Sequence, residues 1–191
     1  FIDVGTNSEI ALGSNERVVS TAAPAGPAFE AAQIRCGMRA AEGAIEGVKI
    51  SGDDIALEVI GDAAPVGMCG SGLVDAVAQL VSAGLLDHSG RFVPDEQAAD
   101  DHPGLAPRLV KVGEERVFVL AWRGDDPANA IYLSQRDVRE LQFAKASIAT
   151  GWHILLTELG ATADDITQVL LAGSFGSYLS PASAVKIGLV P

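Results

Sequence analysis

Aromatic residues are scarce in this chain, at 5% of its 191 residues, and only two cysteines occur. Cys36 and Cys69 form no Cys-x-x-Cys pair and the three histidines are scattered, which argues against a disulfide framework or a zinc site. Basic residues are also few, 13 against 25 acids, for a formal net charge of −12. No basic stripe gathers them, so DNA or RNA would be repelled at long range and no nucleic-acid partner is expected. Long apolar runs are missing too. The best stretches, Leu73–Leu86 and Ala144–Leu159, are broken by Asp, Gln, Lys or His and read as amphipathic helices, so no membrane span is expected. No charged leader with an apolar core opens the chain, and the cytoplasm is the expected compartment.

Small and aliphatic residues are plentiful instead. The chain is 48% apolar and holds 21 glycines, a mix suited to an α/β domain packed through small side chains and joined by tight turns. Its length allows one well-cored domain over 1–191, with an insertion at roughly 85–133. Phe1–Val4 reads as a strand already under way and the chain stops just after an apolar turn, as expected of a piece of a longer protein.

Phe1–Val4, Glu9–Leu12 and Arg17–Thr21 are strand candidates separated by glycine turns, and strands this close form an antiparallel meander. Pro27 opens a predicted short helix through Ile34. Two further strands, Ile45–Ile50 and Ala56–Ile60, flank Ser51-Gly52-Asp53-Asp54. Helical spacing begins at Leu73, with Ser71 as expected N-cap, Asp75 complementing the positive helix start and Gly84 at the C-terminal end. Residues 88–115, rich in Asp, Pro and Gly, read as a surface excursion. Strands resume at Val117–Ala121 and Ala130–Leu133. Ser134 then caps the longest helix, which Gly160 ends, and a buried strand at Thr167–Leu171 leads to a last short helix, Pro181–Ile187.

Three glycine loops carry the chemistry. In Asp3-Val4-Gly5-Thr6-Asn7, Gly5 lets the backbone approach a phosphate, successive amides can form an anion nest, and Thr6 and Asn7 add donors. Asp3 can hold a magnesium-bound water or orient the attacking one, because phosphoryl transfer rests on positioning and charge neutralisation. A plain hairpin satisfied by Asp and Asn explains the same residues. In Cys69-Gly70-Ser71-Gly72 the free amides of a helix start favour an anion or polar ligand; a helix entry packed close to a sheet is the alternative. Ala172-Gly173-Ser174-Phe175-Gly176 follows a strand, where α/β folds tend to bind ligands, and its glycines leave room for a flat group such as adenine. A tight β–α turn would look alike. The loop lacks the Gly-Lys-Ser/Thr of a Walker A motif and the spacing of a Rossmann fingerprint.

In this order the three loops resemble the second half of the ATPase domain shared by actin, hexokinase and the heat-shock chaperones, a ribonuclease-H-like unit. The implied fold is α/β, a mixed sheet with a three-strand antiparallel meander, flanking helices and an insertion. A closer resemblance is to the ATPase domain of the reductive activators of corrinoid proteins. It is carried by Asp3–Ile10, Gly26–Glu30, Gly37–Ala41, Cys69–Asp75, Gln135–Glu140 with Ala144-Lys145, Ala172–Gly176 and Ile187–Pro191. It is weakest across 88–130.

That resemblance implies a parent protein with a separate [2Fe–2S] ferredoxin-like domain. Such a protein uses ATP to drive an electron onto the Co(II) form of a corrinoid partner. Asp3 would sit at the γ-phosphate and magnesium. Gly5, Thr6 and Asn7 would hold phosphate, Gly70, Ser71 and Gly72 the second loop, and Gly173, Ser174, Phe175 and Gly176 the adenosine. Lys145 with Gln142 would reach the nucleoside from the long helix. Ser174 departs from the usual Gly-Gly of the adenosine loop. The catalytic activity is expected of the parent rather than of this piece alone, and a homodimer is left open. A non-catalytic partner-binding module and a small-metabolite kinase on the same fold remain as alternatives. Cys69 has two readings, a buried thiol or a cluster ligand of the kind found in related dehydratase activators.

Overall fold

The computed structural model describes residues 1–191. Three short strands open the chain: β1 (Ile2–Asp3), β2 (Asn7–Gly13) and β3 (Val18–Pro24). The next segment carries β4 (Ala44–Ser51), β5 (Asp54–Val59), β6 (Gly67–Met68) and α1 (Gly70–Ser82). Then come α2 (Asp95–Asp101), β7 (Leu109–Val112), β8 (Glu115–Ala121), β9 (Ile131–Ser134) and the 25-residue α3 (Gln135–Leu159). The chain finishes with β10 (Leu171–Ala172), a single turn α4 (Gly173–Gly176) and α5 (Pro181–Lys186).

The strands form three sheets, in the orders β10-β1-β2-β3, β5-β4-β6 and β7-β8-β9. In the first, β1, β2 and β3 make the expected antiparallel meander, and β10 joins β1 in parallel. One face of β2 is buried through Ser8 and Ile10, the period-two pattern of a half-covered strand. α3 lies across β2 and β3. Its apolar positions Val138, Leu141, Ala144, Ile148, Trp152 and Leu155 recur every three or four residues and face the core.

Both ends of α3 are made locally. The Ser134 hydroxyl accepts from the Asp137 amide at 3.1 Å, and the Asp137 carboxylate accepts from the Ser134 amide at 2.8 Å, a reciprocal capping box. Gly160 closes the helix in the left-handed conformation, with φ +65°. The Trp152 indole donates to the Leu189 carbonyl at 3.2 Å, tying the last turn of the chain to this helix.

Four expectations need correction. Pro27–Ile34 forms consecutive turns rather than a helix, because Ala31 takes a positive φ of +57° that breaks the helical path. The strand expected at Thr167–Leu171 shortens to Leu171–Ala172, since only those residues find a partner in β1. Residues 88–115 are no loose excursion: Phe92, Val93, Ala98, Leu105 and Leu109 are buried in the common core. At α1 the N-cap is Cys69, not Ser71, and Asp75 falls beyond the first turn.

Candidate functional site

The parallel pairing of β1 with β10 sets Asp3 opposite Ala172, and the Val4 amide donates to the Ala172 carbonyl at 3.0 Å. Two parallel neighbours end on the same side, so the Asp3 and Gly173 loops leave the sheet together. Gly173 has a φ of +87°, and a Cβ built there would stand 2.2 Å from Asp3 Oδ1. The carboxylate of the first loop therefore rests on the backbone of the third.

Within the first loop the Gly5 amide is already committed. It donates to the Ser8 hydroxyl at 3.2 Å, which returns a hydrogen bond to the Gly5 carbonyl at 3.1 Å. Ser8 is fully buried. A nest built on consecutive free amides is therefore not formed at Gly5, while the exposed Thr6 and Asn7 remain at the surface of the loop. The Thr6 hydroxyl donates to Glu30 Oε1, and the Thr6 carbonyl accepts from the Gly26 amide at 3.0 Å.

At the second loop the glycines serve close approach. A Cβ on Gly70 would lie 2.0 Å from the Phe29 carbonyl oxygen, and one on Gly72 would lie 2.2 Å from that of Ile45. Gly72 is buried against β4, so at that position the packing explanation holds. The Ser71 hydroxyl and the Cys69 thiol lie 3.3 Å apart. Cys69 is buried and its thiol donates to the Ile45 carbonyl at 3.4 Å, in keeping with the structural reading of this residue.

The second and third loops share one cleft of about 780 Å³. Gly70 and Ser71 line one part of it, and Ser174, Phe175 and Tyr178 another. Phe29, Met38 and Ile60 add apolar surface, while Glu30, Arg39 and Glu46 are its charged side chains. A mostly apolar cleft of this size with a few convergent polar groups has the character of a small-molecule site. The Arg35 amide donates to Asp137 Oδ1 at 2.9 Å, which fastens the approach to the Met38–Arg39 wall onto the start of α3. Burial is the larger influence on Asp137 and raises its carboxyl above the usual range, against the lowering effect of the hydrogen bonds from Ser134 and Arg35.

The long helix does not reach this cleft in the expected way. Gln142 and Lys145 line a separate hollow of about 230 Å³ with Lys186 and Ile187, and it shares no residue with the cleft. Gln142 is held locally, donating to the Ser89 carbonyl at 3.0 Å and accepting from Arg139 at 2.6 Å. Three groups carry no role in the sequence reading: Glu30, Arg39 and Tyr178. The segments Gly26–Glu30 and Gly37–Ala41 stand out there only as blocks of resemblance. Glu30 and Asp75 each keep one buried carboxylate oxygen with no hydrogen-bond partner. Nowhere do three or more His, Cys, Asp or Glu side chains converge as a metal cage would need.

A meander continued by a parallel strand, with glycine loops at the strand ends beside a cleft, is the actin-like ATPase architecture, and comparison with known proteins places the chain in that class. The chain belongs to the family described as the C-terminal domain of RACo, the ASKHA domain, which matches residues 1–191. It is 40% identical, over its whole length, to the corrinoid activation enzyme RamQ of Eubacterium limosum, covering 32% of that protein. It is 26% identical to the [Co(II) methylated amine-specific corrinoid protein] reductase of Methanosarcina barkeri, over 99% of this chain and 34% of that protein. A solved structure, a reductive activator for corrinoid, iron–sulfur protein, superposes on all of the chain and 30% of its own length, with a TM-score of 0.84 at 38% identity. The chain thus spans about a third of the length of the curated relatives it matches. No helix is long and apolar enough to cross a membrane.

Proposed function

We propose that this chain is the nucleotide-clasping part of an ATP-dependent reductive activator of corrinoid proteins. The observation that carries the reading is the contact of the Asp3 loop with the Gly173 loop beside a cleft of nucleotide size. The names of the matched relatives, all concerned with corrinoid activation or reduction, supply the process.

In this reading Ser174 and Phe175 meet the nucleoside, with Gly173 and Gly176 shaping the loop beneath it. Gly70 and Ser71 form the opposite wall. Thr6 and Asn7 address the phosphates, and Asp3 holds magnesium through water. Magnesium supplies charge neutralisation at the phosphates. The cleft fits a cation-bound nucleotide better than a bare one, since Glu30 and Glu46 outnumber Arg39. Gln142 and Lys145 have no part in nucleotide binding in this arrangement. ATP hydrolysis would drive the uphill electron from a [2Fe–2S] domain of the parent to a Co(II) corrinoid partner. The compartment would be the cytoplasm.

The test is Mg-ATP-dependent reduction of a Co(II) corrinoid protein by the full-length parent, wild type against Asp3→Asn. Loss of rate is expected; an unchanged rate removes Asp3 from the mechanism. A second reading, a non-catalytic partner-binding module, is favoured by one observation: Ser8 already occupies the Gly5 amide. Corrinoid-stimulated release of phosphate from ATP separates the two, being absent in the second.

A further inference from the structure

Side chains of α1, α3 and α5 meet around the hollow of about 230 Å³ that lies apart from the cleft. Val77 and Val81 of α1, with Val138 and Leu141 of α3, give it an apolar lining. Lys145 of α3 and Lys186 of α5 border the same hollow, with His88 beside them. The chain has only four lysines, and two of them, distant in sequence, come together here.

Neither lysine has a carboxylate partner. The ion pairs of the chain use Arg17, Arg35, His102, Arg116 and Arg136. Asp87 is the one acid on the hollow. Its Oδ1 is taken by the Ser89 amide at 2.8 Å, the Ser89 hydroxyl at 2.7 Å and the Arg91 amide at 3.0 Å. Lys145 Nζ lies over the turn that ends α5, 3.4 Å from the point where Gly188 would carry a Cβ. That brings its charge to the end of α5, whose last turn carries Lys186. A helix end favours a cation, which accounts for one lysine there but not for two. Like charges at one edge repel, and an anion seated between them removes the repulsion.

The wall of the hollow is fixed. Gln142 donates to the Ser89 carbonyl at 3.0 Å and accepts from Arg139 at 2.6 Å. It packs so closely on Gly90 that a Cβ there would stand 2.3 Å from Gln142 Nε2. Arg139 thus adds a cation beside the two lysines, and it too has no carboxylate partner.

Charge and lining together select the ligand. A bare inorganic anion would satisfy the lysines and leave the apolar surface wet. A carboxylate with a short aliphatic chain answers both. Its oxygens accept charge-assisted hydrogen bonds from the ammonium groups, and its chain buries apolar surface.

We infer that this hollow is a second small-molecule site, for a short-chain carboxylate held at its head by Lys145 and Lys186. The valine and leucine side chains cover its tail. The site does not depend on the nucleotide reading above.

The experiment is an NMR titration of the full-length parent with hexanoate, for wild type and for the double variant Lys145→Gln/Lys186→Gln. Saturable binding to wild type is expected, with a dissociation constant that rises roughly tenfold in the double variant. A control double variant, Lys49→Gln/Lys111→Gln, removes the same net charge elsewhere and should bind hexanoate as wild type does. Inorganic phosphate and hexanol, which lack the tail and the charge respectively, should each bind more weakly than hexanoate. Affinity for Mg-ATP should be the same in all three proteins. The inference is overturned if wild type shows no saturable binding, or if the two double variants lose affinity equally. It is also overturned if phosphate or hexanol matches hexanoate, or if loss of the two lysines weakens Mg-ATP binding. If circular dichroism shows that the double variant does not fold, Lys186→Gln is read alone, since Lys186 is exposed. A wild-type dissociation constant there also overturns the inference.

Discussion

Asp3 Oδ1 lies 2.2 Å from the point where Gly173 would carry a Cβ. The two residues sit at opposite ends of the sequence and touch because β1 and β10 are parallel neighbours. Any side chain at Gly173 would have to displace the Asp3 carboxylate.

Gly173→Ala is therefore expected to destabilise the fold by about 2 kcal/mol or more, from a positive φ of +87° together with the clash. Gly52→Ala separates the two causes: its φ is +58° but the space around it is open, so about 1 kcal/mol is expected. Urea denaturation of both variants checks the difference. Equal costs would mean that the Asp3 contact is easily relieved.

Gly70→Ala probes the wall of the cleft. A Cβ there would press into the Phe29 carbonyl at 2.0 Å, with no flexible side chain to give way. Either α1 or the Phe29–Glu30 segment must shift, so a drop in melting temperature of several degrees is expected, as overpacking costs typically 1–3 kcal/mol. Nucleotide affinity should fall with it. A stable variant with wild-type affinity would show that this close approach does not shape the cleft.

Asp137→Asn tests the joint between α3 and the segment leading to Arg39. The substitution places an amide NH₂ where an oxygen accepts a backbone N–H, which is expected to cost about 1–3 kcal/mol. The pH dependence has a definite sign. Burial raises the Asp137 carboxyl in the fold above its unfolded value of about 3.9. The folded chain then holds the proton more tightly, so the stability linked to this group is fully present below pH about 4 and is lost as pH rises through the folded value. The advantage of wild type over Asp137→Asn should thus be largest in acid and shrink toward neutrality. Denaturation curves across that range read it directly, and a gap that widens with pH would contradict the assignment.

Neighbouring positions on α3 should behave oppositely. Ile148 is fully buried, and Ile148→Ala is expected to cost about 2–5 kcal/mol. Phe143 is 68% exposed on the same helix, and Phe143→Ser should stay within about 0.5 kcal/mol. Thermal melts of the two variants are sufficient, and a large loss at Phe143 would reveal packing that the structure does not contain.

Local order made much of the fold legible. The three-four spacing from Val138 to Leu155, the Ser134 cap and the Gly160 stop are properties of neighbouring residues, and the helix follows them closely. The meander was equally readable, since short glycine turns leave adjacent strands no other pairing. The turns at Pro27–Ile34 escaped because the positive φ of Ala31 has no local signature: alanine favours helix everywhere else. Thr167–Leu171 reads as a full strand by composition, yet a strand exists only where another backbone meets it.

The amino-acid sequence by itself determined the α/β class, the capped long helix, the acidic surface and three glycine loops at strand and helix ends. Those features rest on side-chain periodicity and backbone permissiveness within a few residues. Only the tertiary structure decided which loops share a cleft, that Ser8 occupies the Gly5 amide, and that Gln142 and Lys145 line a different hollow. It also brought Glu30 to Thr6, leaving one carboxylate oxygen buried and alone. Such pairings depend on strand register and on how closely α1 can approach Phe29, and no spacing along the chain encodes either.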